Sequence, residues 1–253
     1  MNFTQMYESF QALENPSFWQ DAYMKFYKAW FEAERWQQYF KGLATTIQVT
    51  VIALLIGVVL GVVVAMIRTA HDQQRLGVHN PLLGIVNLIC KIYVTVIRGT
   101  PMMVQLLIMG LVIFASNRNK TMIGALSLGI NSGAYVAEII RGGLMSLDPG
   151  QMEAGRSLGL GYMDTMRFIV IPQAFKAILP SLGNEFITLL KDTSLISVVG
   201  GKEIVYFAQA IITRTYETMY PYLITAVMYL IMVLIFTWLQ SKLERRLRQS
   251  DRR

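Results

Sequence analysis

Two stretches of the chain run without an ionisable side chain for the length of a membrane: Leu43 to Ile67, 25 residues, and Tyr220 to Leu239, 20 residues. Each is enough for a helix to cross a hydrocarbon core of about 30 Å. Three further apolar stretches are less pure. Thr121 to Ile140 is apolar except for Glu138, and Lys176 to Val199 is interrupted by Pro180, Glu185, Lys191 and Asp192. Pro101 to Ala115 is short, but "LLGIVNLICKIYVTVI" precedes it and lengthens it across a proline kink. The pattern predicts an all-α integral membrane protein with five transmembrane helices. Ahead of the first span, Trp19, Tyr23, Phe26, Trp30 and Ala33 fall on one helical stripe and Asp21, Lys25, Lys28, Glu32 and Arg35 on another. That is the signature of an interfacial amphipathic helix, which either anchors the first span or docks an external partner. The expected organisation is an interfacial segment over 1–41, a transmembrane domain over 42–245 and a basic tail over 246–253.

Composition agrees: 54% of residues are apolar, 15% are charged and the mean hydropathy is +0.42, too apolar for an ordinary soluble domain. The formal charge of +7 would suit a nucleic-acid binder, but its distribution argues for a membrane anchor and no nucleic acid. "KLERRLRQSDRR" follows the last span directly, and Lys242, Arg245, Arg246, Arg248, Arg252 and Arg253 mark that end as cytoplasmic. With five spans the N-terminus is then outside. Loops 68–80 and 146–175, with Arg68, Arg75, Arg156 and Arg167, are then cytoplasmic. Cys90 is the only cysteine, so no intrachain disulfide or thiolate cluster is possible. His71 and His79 are the only histidines and no HExxH surrounds them, which argues against a membrane metallopeptidase and predicts no metal site. No GxxxxGK[ST] occurs, since Gly201 and Lys202 lack the upstream glycine, so this chain binds no nucleotide and is no enzyme by itself.

The loop over 146–175 holds "EAGRSLGLGYMDTMRFIVIPQA", Glu153 to Ala174. Asp148 and Pro149 make a helix start, an N-cap followed by proline. Ala154 and Gly155 would give the short helix a flat face of small residues, Gly159 and Gly161 permit a sharp turn, and a second helix from Tyr162 should stop at Pro172. Spacing and shape leave two readings open, a helical hairpin packed at the membrane surface and a docking element. The residues Glu153, Ala154, Gly155, Gly159, Ile169, Ile171 and Pro172 resemble the cytoplasmic loop signature of permease subunits of ATP-binding-cassette (ABC) importers. Gly155 stands where that family usually has alanine, and Ile171 where it has leucine. "VIRGTPMMVQL", "NSGAYVAEIIRGGL" and "IPQAFKAILPSLGNEFITLLKDTSL" are similar to the polar amino acid uptake branch, over roughly residues 40 to 245.

The resemblance implies the type I importer permease fold in a bacterial cytoplasmic membrane. It implies a coupling helix at Glu153, Ala154, Gly155, Gly159 and Pro172 seated in a separate ATPase subunit that holds ATP and Mg. It also implies a binding protein that delivers the amino acid from outside, and a second permease subunit. Candidates for the substrate path are Arg98, Thr100, Asn131, Tyr135, Glu138, Glu185, Lys191 and Asp192. Asn131, Tyr135 and Glu138 lie at i, i+4 and i+7 on one helix face, and a carboxylate within a span marks either a pathway or a structural pair, here with Arg141. Glu185, Thr188 and Asp192 share a second face, and the acids favour a polar or cationic L-amino acid. Asp192, Thr193 and Ser194 either form an outer gate with Arg98 or cap a helix beginning at Leu195. Lys191 can pair with an acid or with a substrate carboxylate. The glycine pairs Gly57/Gly61 and Gly129/Gly133 suit close helix packing. An ion-driven carrier is the competing class, although such folds usually carry inverted repeats and more spans.

Overall fold

The computed structural model describes residues 2–72, 74, 80–148 and 150–250, so Arg75, His79, Pro149, Arg252 and Arg253 lie outside the described residues. Among the described residues every regular element is helical. In chain order these are α1 (Phe3–Gln11), α2 (Phe18–Trp30), α3 (Trp36–Asp72), α4 (Pro81–Gly99), α5 (Met102–Leu107), α6 (Lys120–Met145), α7 (Gly150–Ser157), α8 (Tyr162–Thr165), α9 (Ile171–Asp192), α10 (Ile204–Thr215) and α11 (Met219–Ser250). Wide π turns continue α5 over Ile108–Ile113 and join α8 to α9 over Met166–Val170, and a 3-10 segment, Thr193–Val199, follows α9.

The spans containing α3, α4, α6 and α11 are each long and apolar enough to cross a membrane, and Tyr162–Val199 with Ile204–Thr215 supplies a fifth crossing bent by 44°. The number agrees with the hydropathy pattern, and the second span runs through α4 and α5 as predicted: α4 ends with Arg98 at Glu138, Gln105 of α5 meets Asn131, and Gly110 reaches Lys120 at the other end of α6. At the proline the chain breaks instead of kinking. Pro101 holds Thr100 in extended backbone (φ −119°, ψ 146°), because the ring forbids helical geometry to the residue before it. At the far end of α5 and its π turn, Lys120 donates to the carbonyls of Gly110 (2.7 Å), Phe114 (3.1 Å) and Ala115 (3.0 Å). Those carbonyls end a helix and would otherwise lack donors at membrane depth.

The centre of the fold is the pair α3 and α6, and the two predicted glycine pairs make their seam. A Cβ at Gly57 would sit 2.7 Å from Ser132 Oγ, one at Gly61 2.5 Å from Val136 Cγ1, one at Gly129 2.7 Å from Ile56 Cβ and one at Gly133 2.9 Å from Leu60 Cβ. The helices are therefore parallel, and each offers its glycines to the other's side chains. α6 is covered almost all round, whereas Leu55 and Val59 on α3 and Ile231 and Leu234 on α11 are exposed apolar residues, as the surface of a membrane-spanning helix requires.

The N-terminal segment holds α2 where a helix was predicted and adds a second helix to it. It is a helical hairpin, because α1 folds back on α2 and stacks Tyr7 on Tyr27 with ring centroids 4.4 Å apart and Phe3 on Phe31 at 5.1 Å. Burial consequently falls on Tyr27 and Ala29 instead of the predicted stripe, and Trp19 stays 79% exposed. On the polar side Asp21 pairs with Lys25 at 2.8 Å, and that bond raises the amine's pKa above its ordinary value. α2 rests on α10 and α11, with Phe26 against Tyr220. Between α2 and α3 the backbone turns through Ala33 and Glu34, both left-handed at φ 52° and 53°. Arg35 braces that joint, donating to the carbonyl of Lys28 and to Glu32.

Candidate functional site

Two regions collect the residues singled out in the sequence. The first is the α7–α8 hairpin. Asp148 starts α7 as predicted, its carboxylate accepting from the Gly150 amide at 2.8 Å. Gly159 turns the chain in the left-handed region, φ 78°, and a Cβ there would meet nothing within 4 Å. Its role is conformational, and a side chain would not wedge the helices apart. Gly161 has ordinary helix-start geometry and is not part of the reversal.

Gly155 is the tight position. A Cβ there would lie 2.4 Å from Thr165 Cγ2 and 2.6 Å from its Oγ1. Gly155 is buried and Ala154 exposed, so the expected flat face of two small residues does not exist. Successive helical residues point about 100° apart, and one of the pair must turn inward. The outward face carries Glu153, Ala154 and Arg156, with Leu158 (77% exposed) and Met163 (74%) beside them. Pro172 does not stop the second helix. The Ile171 amide bonds five residues back to Met166, and the wider π turn lets the chain pass the proline and run on as α9.

The second region surrounds the break between α4 and α5. Gln105 donates to the carbonyls of Ile97 (2.7 Å) and Thr100 (3.1 Å) and to Thr100 Oγ1 (2.7 Å), while its own oxygen accepts from Asn131 at 3.0 Å. Thr100 and Asn131 thus hold the broken backbone to α6. Tyr135 is the one exposed residue of α6 between Ile123 and Arg141, and the Arg98 guanidinium lies 5.3 Å from its ring centroid. Glu138 is paired with Arg68, with Arg141 at 3.2 Å and with Arg98 at 3.9 Å. The predicted Glu138–Arg141 pair exists, but three guanidiniums from three helices share this carboxylate. The cluster carries excess positive charge, so Glu138 is no free anion for a cationic substrate.

The remaining candidates are spread out. Glu185 accepts from Ser132 Oγ at 2.7 Å, tying α9 to α6, and has no basic partner among the described residues. Lys191 is exposed and forms no ion pair among them. Asp192 caps nothing: the helix simply tightens to 3-10 after it, and the Thr193 and Ser194 hydroxyls donate back to Leu190 and Lys191 carbonyls. Arg98 does not reach that segment. Ile196 packs at Gly124 and Arg98 lies at Glu138, so 14 residues of α6 separate them, about 21 Å at 1.5 Å per residue. The two do not meet in this structure.

Sequence reasoning missed Arg68, Gln105 and Glu203. Arg68 and Gln105 are joined to the site by tertiary contact alone. Glu203 is fully buried and caps α10, accepting from the amides of Val205 (2.8 Å) and Tyr206 (2.9 Å). Its available signal was an acid placed between a glycine pair and an apolar run, the position of an N-cap.

Residues 80–249 match the family model described as binding-protein-dependent transport system inner membrane component. The chain is 34% identical over 214 residues to the arginine transport system permease protein ArtQ of Bacillus subtilis, covering 83% of this chain and 93% of that protein. It is 34% identical over 212 residues to the glutamine transport system permease protein GlnP of Escherichia coli K12, covering 82% and 92%. Among solved structures, an amino acid ABC transporter crystallised with histidines aligns with a TM-score of 0.74 at 42% identity, covering 83% of this chain and 94% of that one. An inward-facing MetNI methionine ABC transporter, 16% identical with a TM-score of 0.72 over 86% of this chain and 99% of that one, shares the fold alone.

Proposed function

Because the chain belongs to the binding-protein-dependent transport system inner membrane components, as a permease of an amino acid ABC importer, we propose that the opening at Tyr135 and Arg98 is part of its substrate path and that the α7–α8 hairpin couples it to an ATPase subunit. The C-terminal tail and the hairpin are on the cytoplasmic side, where that ATPase holds ATP and Mg. An extracytoplasmic binding protein delivers substrate to the other face, and a second permease subunit, identical or related, completes the path.

The observation that carries the reading is the single exposed position on an otherwise covered central helix. Tyr135 opens there beneath a guanidinium whose side chain is 43% exposed and whose acidic partner is already shared with two other arginines. Arg98 is therefore free to offer hydrogen bonds to the carboxylate that every amino acid carries. A polar or cationic L-amino acid offers Arg98 that carboxylate, in keeping with relatives named for arginine and glutamine transport.

The test is uptake of radiolabelled arginine and glutamine by the complete complex in proteoliposomes, with and without ATP. Arg98→Gln is expected to copurify with the ATPase in normal ratio and to lower uptake at least about tenfold, as loss of a charged hydrogen bond implies. Wild-type uptake by Arg98→Gln overturns the path assignment. Uptake that persists without ATP under an ion gradient would instead favour an ion-driven carrier.

A further inference from the structure

Glu203 has no exposed surface and lies where the bent crossing turns between the 3-10 segment and α10. No basic side chain pairs with it among the described residues. A carboxylate buried at this depth is costly unless donors surround it. Two are the amides that open α10. The third is the Tyr229 hydroxyl of α11, which donates to Glu203 Oε2 at 2.8 Å. That phenol oxygen is also 3.4 Å from Thr193 Oγ1, at the head of the 3-10 segment. One phenol therefore joins the segment after α9, the start of α10 and the first third of α11.

The contact of α10 with α3 is of a different kind. A Cβ at Gly42 of α3 would lie 2.7 Å from Ile204 Cα, so the two backbones touch with nothing between them. That contact is one of shape, and α10 can rock on it without breaking a bond. The contact with α11 is a specific bond with two states, made or broken. One oxygen has the double duty: Oε2 accepts from the Val205 amide and from the Tyr229 hydroxyl, while Oε1 accepts from the Tyr206 amide. Aspartate, one methylene shorter, draws the carboxylate back toward its own backbone and cannot keep all three bonds.

We propose that Glu203 is a positioning residue for transport: its bond to Tyr229 is the latch that holds Thr193–Val199 and α10 against α11 and closes the outer end of the path. The proposal rests on the orientation given above, with α10 on the outer side. Opening toward the binding protein requires the latch to part, and the α3 contact then serves as the pivot.

The experiment uses the full complex in proteoliposomes, in a Cys90→Ala background with Ser194→Cys as the reporter and a membrane-impermeant thiol reagent. Tyr229→Phe removes one oxygen and keeps the ring. Glu203→Asp keeps the charge, and an acid at the start of α10, but shortens the reach to Tyr229. Each is expected to raise the reporter's labelling rate about tenfold in the resting complex, the size of effect given by one lost hydrogen bond to a charged group. The double variant should label no faster than either single one, because both cut the same bond. ATPase copurification should stay in normal ratio throughout. A residue that merely caps α10 predicts otherwise: Glu203→Asp would behave as wild type. That result, or wild-type labelling and uptake in Tyr229→Phe, overturns the latch. Should Glu203→Asp fail to assemble, Tyr229→Phe decides alone. If the parent reporter is reached only from the cytoplasmic face, the orientation falls, while the ratio between variant and parent still decides the latch.

Discussion

Gly155 and Thr165 fit because one of them has no side chain. The 2.4 Å separation that a Cβ would impose cannot be relaxed by rotation alone, since the threonine's other branch stands at 2.6 Å. The alanine usual at this position in the resembled loop is therefore wrong for this chain unless Thr165 shrinks as well. Gly155→Ala should lower the fraction of permease that copurifies with its ATPase and lower the complex's thermal midpoint, as overpacking of about 1–3 kcal/mol predicts. Adding Thr165→Ala should restore both. An additive loss in the double variant would show that the two residues do not share the strain. Residue-level chemistry was legible wherever it repeats along one helix. The face shared by Asn131, Tyr135 and Glu138 follows from spacing. Their partners Gln105, Arg68 and Arg98 arrive from other helices, and no spacing encodes them. Gly155 was misread for a related reason: smallness can be read from the sequence, but the direction in which a small residue faces is set by what packs on it.

Elements were read well where apolar runs are long and poorly where backbone irregularity decides. The span count survived because a stretch such as Leu43 to Ile67 has one stable answer in lipid. Pro172 was misjudged because a helix can widen by one residue ahead of a proline, as Met166–Val170 does. α1 was missed because a nine-residue amphipathic helix has little signal until it finds α2. The α7–α8 hairpin is the element whose function can be tested directly. Glu153 lies in the first turn of α7, is exposed, and stands clear of the Gly155–Thr165 contact, so truncating it removes charge without disturbing the hairpin. Glu153→Ala is expected to leave ATPase copurification and basal hydrolysis unchanged and to reduce stimulation by loaded binding protein several-fold, about 1 kcal/mol for an exposed charged contact. Steady-state ATPase assays with and without the binding protein measure this. Unaltered stimulation would remove Glu153 from the coupling surface.

On the scale of the whole molecule, charge asymmetry and hydropathy conveyed the architecture, and the arrangement of its parts came from glycine. The seam between α3 and α6 also sets what the protein is able to do mechanically. Its glycines recur every four residues and each receives a side chain from the facing helix, so the two surfaces mesh like a rack and pinion. The next register in which the teeth fit lies a further four residues along, about 6 Å. Any smaller slip drives Val136 or Leu60 against backbone. Sliding in this seam is forbidden by geometry, and the alternation between outward and inward access must be borne by joints that carry no such teeth. A short bifunctional cross-link fastened between α3 and α6 should leave the uptake rate of the reconstituted complex within about twofold of the untreated one, whereas the same reagent bridging α10 to α11 should stop it, because only the second joint has somewhere to go.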